Sequence, residues 1–292
     1  MNNEYNERCN NIISINYRDY LMSKEWRNKI CLDELIGFVS INRDGGDDVR
    51  FEVRKNYKTA FVKIEDHDRY CKEQNVKYNG KIAIILESPH TEEFFEKELQ
   101  VFGRDEGFLK ARPANGQTGR LFEKYFSEIL KKSEIFKKES GNLPPGDYSV
   151  SLINSIQNQC SLGANTYFYR DRVWARLWFC NDEYYKCNFI ERVKKLDPTI
   201  IINCSTRGKH YPLDNKKTGY NTNKKRDFTM NFLKEECRIK QSKIDILNGL
   251  DVNIRNLIST EIKKNFTSAK IFYSNHPSSW YSEHNRILYD HI

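Results

Sequence analysis

The chain has 292 residues and a formal net charge of +8, from 48 Lys+Arg against 40 Asp+Glu, and its 38% hydrophobic and 13% aromatic content excludes a disordered chain. Its longest apolar run is about six residues where a membrane span needs about 20, and the start MNNEYNERCNN has no apolar signal-peptide core. A soluble, unexported, cytoplasmic protein with no membrane partner is therefore expected, in one or two domains at roughly 150 residues each.

The first 75 residues read as a mainly helical extension, with Tyr17, Tyr20, Leu21 and Trp26 as packing residues and a turn at Asp44-Gly45-Gly46-Asp47. Residues 76–292 read as the main α/β domain. Within it, four runs rich in Ile, Val and Leu are continuous rather than alternating, as strands buried on both faces are: 81–86 (KIAIIL), 148–154 (YSVSLIN), 199–203 (TIIIN) and 269–274 (AKIFYS). Between the first two, residues 118–132 place Leu121, Phe122, Tyr125, Phe126, Ile129 and Leu130 on one face of a helix. Phe189, Ile190, Val193 and Leu196 repeat that spacing, and Asp197-Pro198 stops the second helix before the third strand. An insertion at about 207–253 carries the basic stretch KKTGYNTNKKR, read either as a solvated loop or as a phosphate-contacting one. The alternation predicts an α/β three-layer sandwich with a four-stranded, mostly parallel central sheet.

In such sheets ligands bind outside the carboxyl ends of the strands. Polar groups follow every predicted strand there: Glu87-Ser88-Pro89-His90, Asn154-Ser155, Cys204-Ser205-Thr206 and Asn275-His276-Pro277-Ser278. Each group alone reads as a turn, a cap or a surface residue; their common position at one edge is the signal. The eight cysteines include no C-x-x-C pair and read as reduced thiols, and no histidine or cysteine cluster has metal-ligand spacing, so neither metal nor cofactor is expected.

The order of E-S-P-H after the first strand, R-P-A-N-G-Q-T-G-R, L-I-N-S, I-I-N-C-S-T and a final H-P-S resembles the uracil-DNA glycosylase superfamily over about residues 80–285, leaving the extension unexplained. The resemblance implies a monofunctional glycosylase that flips a pyrimidine out of DNA and hydrolyses its N-glycosidic bond. It implies that His276 donates to the departing base, that Asn154 reads its Watson–Crick edge, and that the loop of Glu87, Ser88 and His90 handles water. Ser88 stands where some members carry an aspartate, so the base is unassigned, with Glu87 the nearest carboxylate and Glu92 and Glu93 read as an acidic helix start. Ser278, Ser205, Lys224, Lys225 and Arg226 are expected on the DNA backbone, and Trp280 as a wedge into the vacated stack or, equally, as a core residue. The C-x-x-C of iron–sulfur members is missing, so no cluster is expected.

Two departures bear on the base. His90 replaces a bulky aromatic gate, and Ala114 replaces a stacking phenylalanine, with Arg112, Asn115 and Gln117 nearby to bind hydroxyls. The resemblance extends to glycosylases that defend bacteria against phage DNA carrying glucosylated 5-hydroxymethylcytosine, which these departures favour. Phe108, Tyr167 or Phe168 would restore a small pocket. Alternatives are a uracil-repair enzyme, a catalytically silent nucleic-acid-binding module and a nucleosidase. DNA is the expected partner; protein partners are left open.

Overall fold

The computed structural model describes residues 24–42, 49–53, 62–94, 111–161, 166–179, 183–208, 233–234, 237, 239–247 and 252–290. Its strands are β1 (Glu34–Ile41), β2 (Arg50–Val53), β3 (Gly80–Leu86), β4 (Gly146–Asn154), β5 (Ile200–Asn203), β6 (Lys270–Ser274) and β7 (Leu288–Tyr289). Its helices are α1 (Lys24–Asn28), α2 (His67–Glu73), α3 (Gln117–Lys132), α4 (Glu134–Ser140), α5 (Thr166–Phe179), α6 (Tyr184–Leu196), α7 (Gln241–Leu247) and α8 (Ile254–Asn265). The chain is an α/β protein on a curled, mixed, seven-stranded sheet ordered β2-β1-β4-β3-β5-β6-β7.

All four predicted strands form, and neighbours in the run β4-β3-β5-β6 pair in parallel. Strand β3 shows why their runs are continuously apolar: Ile82, Ile84 and Leu86 enter one core and Ala83 and Ile85 the other. On the first face α3 lays down Phe122, Phe126, Ile129 and Leu130, the stripe expected from its spacing. On the second, α6 buries Phe189, Ile190, Val193 and Leu196 and closes at Asp197 in the left-handed conformation, φ 53°, one residue before Pro198. Both faces of the sheet thus carry helices, each fully buried large apolar side chain contributing about 1.5–3 kcal/mol.

The four-strand and helical-extension expectations need correction. Strand β7 adds an antiparallel edge, and the residues before 76 supply β1 and β2, with β1 antiparallel to both β4 and β2. Gly37 makes that outer pairing possible, because a Cβ there would run into the Glu52 carbonyl and the Phe51 ring. A register shift between Leu35 and Gly37 accompanies it. Trp26 is buried, as expected, with its indole N–H donating to Gln159 O at 2.8 Å. Tyr17, Tyr20, Leu21 and the turn at 44–47 lie outside the described residues.

The parallel strands set the location of the crevice. From β3 the chain passes through α3 and α4 to β4 on one side; from β5 it passes through α7 and α8 to β6 on the other. The direction of winding reverses between β3 and β5. That is the topological switch point, the place outside the carboxyl ends of the strands where open parallel sheets bind ligands.

Candidate active site

Glu87 is the first residue beyond β3 at this switch point. Its carbonyl accepts from Ile156 N at 3.1 Å, Ser155 Oγ at 2.6 Å and Trp174 Nε1 at 3.1 Å, which fixes its backbone against the end of β4 and helix α5. Its side chain turns toward β5, where Thr206 N donates to Oε2 at 3.1 Å. The residue is wholly buried, and Oε1 makes no hydrogen bond. Three cationic or ionisable groups surround it: His276 Nε2 3.5 Å from Oε2, Arg170 Nη1 3.4 Å from Oε1 and His90 Nε2 3.8 Å from Oε1. Burial alone would raise the carboxyl pKa, but His276, Arg170, His90 and the Thr206 N–H outweigh it and bring it down to about 2. Glu87 is therefore a buried anion at neutral pH.

His276 arrives from the end of β6. Its side chain caps the 3-10 turn Pro277–Ser279: Nδ1 accepts from Ser278 N at 3.2 Å and lies 2.7 Å from Ser278 Oγ. A backbone N–H can only donate, so Nδ1 is the acceptor and the neutral ring carries its proton on Nε2, toward Glu87. Burial, with Arg170 and Arg255 nearby, lowers the His276 pKa despite the opposing charge of Glu87. His90 is more open, at 27% side-chain exposure, with Nδ1 3.1 Å from Ser161 Oγ. Desolvation and Arg170 lower its pKa to about 4. The crevice thus presents an ionised carboxylate beside neutral imidazoles, one with its N–H aimed inward.

The loop bearing His276 is braced. Trp280 is 1% exposed, stacks on Phe122 with ring centroids 5.6 Å apart and donates from its indole to Asn275 O at 2.9 Å. Arg286 donates to Trp280 O at 2.7 Å and lies 3.6 Å over the Tyr125 ring. The wedge expectation for Trp280 is thereby corrected to its core alternative: its ring holds the loop down. The large side chain left exposed on that loop is Tyr281, at 69%.

Several other expected site residues are placed elsewhere. Asn154 is buried; its amide points 3.9 Å from Cys31 Sγ and its backbone is tied to Asp33 and Arg192, so it does not join the Glu87 cluster. Arg112 is buried, with Nη2 2.6 Å from Glu34 Oε1. Ala114 is buried in the core around α3 and takes a left-handed conformation, φ 53°. Asn115 is half-buried just before α3 and Gln117 is the exposed first residue of that helix. Ser205 is buried with its hydroxyl on Asn203 Oδ1 at 2.6 Å, out of reach of a phosphate. Ser278 is exposed but serves His276. Ser88 is buried beside the Cys160 thiol without a well-formed hydrogen bond. Glu93 lies in the 3-10 helix Thr91–Phe94, the acidic helical turn expected there; it is buried and accepts from His90 N and, at 3.1 Å, from Ala114 N, tying two loops together.

Lys224, Lys225 and Arg226, the Phe108 ring and the side chains of Glu92, Tyr167 and Phe168 lie outside the described residues. The sequence reading passed over Arg170, which sits on α5 next to Asp171 and pairs with it at 2.8 Å. Nothing in its spacing distinguishes it from a surface arginine. Thr206 was legible only as a neighbour of Ser205, since it acts through its backbone. Comparison with known proteins brings no match, whether to a family model, a curated protein or a solved structure.

Proposed function

We propose that the chain is a monofunctional DNA glycosylase that hydrolyses the N-glycosidic bond of a flipped pyrimidine. The observation that carries this reading is the meeting of a buried, ionised Glu87 and a neutral His276 N–H at the switch-point crevice, 3.5 Å apart. Breaking the bond from C1′ to the base leaves positive charge on the sugar and negative charge on the base. Glu87 stabilises the first, while Nε2–H of His276 stabilises the second by donating to the base oxygen as the electron pair arrives there. Water bonds to C1′, its proton passing to the Glu87 carboxylate and on through solvent to the departed base anion, which leaves as the neutral base; at so low a pKa Glu87 acts mainly through its charge. No step in this chemistry calls for a metal, so excision is expected to survive a chelator.

The strand order, which puts both groups at one crevice, supports the reading, as does the cap that fixes the His276 tautomer. Tyr281 takes over the wedge role proposed earlier for its neighbour, being an exposed aromatic on the same loop. For the base we propose a bulky 5-modified cytosine of invading DNA, glucosylated 5-hydroxymethylcytosine in particular. With Ala114 in the core, that choice rests on His90 standing half-exposed at the mouth in place of a large aromatic.

The test compares DNA containing uracil with DNA containing glucosylated 5-hydroxymethylcytosine, scored for alkali-labile abasic sites in the presence of EDTA. Abasic sites in the modified DNA are expected. Excision of uracil alone would leave a repair enzyme, and no abasic sites in either DNA would refute the glycosylase reading.

A further inference from the structure

Glu87, His90 and His276 each present one ligand-type atom, and these atoms all lie within 4.8 Å of one another. An ion bonded at about 2.1 Å to nitrogen and oxygen holds neighbouring ligand atoms roughly 3.0–3.4 Å apart in octahedral or tetrahedral geometry. His90 Nε2 lies 3.8 Å from Oε1 and His276 Nε2 lies 3.5 Å from Oε2, so an ion bound between the imidazoles and the carboxylate needs side-chain movements of about an ångström to draw the ligand atoms together. A second observation points the same way: Oε1 of Glu87 is wholly buried and has no hydrogen bond, so a ligand would satisfy an atom the protein leaves unsatisfied.

The surroundings supply an outer shell. Thr206 N holds the other carboxylate oxygen, Ser161 Oγ faces Nδ1 of His90, and Ser278 Oγ faces Nδ1 of His276. Two features oppose a cation: the Arg170 guanidinium 3.4 Å from Oε1, and the proton that His276 carries on Nε2. Ligation moves that proton to Nδ1, which then donates to Ser278 Oγ and gives up the bond it accepts from Ser278 N, a further cost to the cation. Two imidazoles and one carboxylate favour a zinc-class ion over Mg²⁺ or Ca²⁺, which prefer oxygen.

We propose that Glu87, His90 and His276 form a site for one divalent transition-metal ion of the zinc class, and that the ion competes with the substrate by occupying Glu87 and His276. The competition rests on the glycosylase reading; the binding does not. The probe is Co²⁺ added to the full-length chain, followed by visible absorption and equilibrium dialysis. One Co²⁺ per chain is expected, with a ligand-field band, no thiolate-to-cobalt charge transfer, and displacement by Zn²⁺. His90→Ala and Glu87→Gln should each weaken binding at least about tenfold. His90 is half-exposed, so its variant tests the site even if Glu87→Gln folds poorly. A missing band, a thiolate band, or unchanged affinity in His90→Ala would overturn the site. Cobalt binding by a protein that never excises a base would overturn the glycosylase reading alone. Excision that continues unslowed at saturating Zn²⁺ would overturn the competition.

Discussion

Among the described residues, two groupings of histidine, carboxylate and serine invite comparison, and we propose chemistry at one of them. On the flank of the sheet, the His67 ring on α2 has Nδ1 2.8 Å from Asp68 Oδ1 and Nε2 2.8 Å from Ser149 Oγ, the spacing of a hydrolytic triad. Every one of these atoms is occupied. Asp68 Oδ1 also accepts from Tyr78 OH at 2.8 Å and pairs with Lys81 at 2.7 Å, while His67 and Ser149 are buried in and beside the sheet. Lys81, His67 and Tyr78 overcome the effect of partial burial and hold the Asp68 carboxyl well below its ordinary range. At the switch point, by contrast, Glu87 Oε1 has no hydrogen bond and His90 is only partly buried. The same residue types stabilise where they are saturated and can react where they are not.

Substitutions sharpen that contrast. The largest stability loss is expected from Trp280→Ala, about 3–5 kcal/mol for a large core aromatic, read by urea unfolding. A loss confined to duplex excision with stability intact would restore the wedge assignment. His67→Ala should cost about 1–3 kcal/mol by leaving buried partners of the saturated network unsatisfied, while excision per folded molecule stays unchanged. Lost excision in a fully folded His67→Ala protein would place chemistry on the wrong flank. Tyr281→Ala should alter stability by no more than about 0.5 kcal/mol and impair duplex substrates more than single strands. Equal effects on both substrates would remove its wedge role.

The smallest expected effect is a pH dependence. Burial, with Lys81 nearby, lowers the His67 pKa below its ordinary 6.5 in spite of Asp68. Between that lowered value and 6.5 the unfolded chain binds more protons than the folded one, so stability rises with pH across the window. The contribution is fully present above 6.5 and is lost on acidification. Urea titrations of wild type and His67→Ala between pH 5 and 7, buffered at about equal ionic strength, should show the wild-type slope reduced in the variant. A slope of equal size in both would assign it to other groups.

Much of this was legible in the sequence because double-sided burial writes itself as unbroken apolar runs. The four central strands carry that signature, the helices α3 and α6 show the one-faced apolar spacing of amphipathic helices, and the strand-end rule led to Glu87, His90 and His276. Strand β1 (ELIGFVSI) was hidden: Gly37 interrupts it, and its partner β4 lies far along the chain from it. Asn154 and Ser205 follow strands as catalytic residues do, yet neighbours that sequence order does not reveal, Cys31 and Asn203, face their side chains. Strand ends say where a crevice lies. They do not say which side chains turn into it.

Single-turnover excision by His276→Ala, compared with wild type on the same modified duplex, tests the pairing of Glu87 and His276 most directly. A fall of about 10²–10³ in rate is expected, the scale for losing one preorganised donor, with DNA affinity and unfolding midpoint nearly unchanged. A rate equal to that of wild type would contradict the assignment of the crevice as the active site.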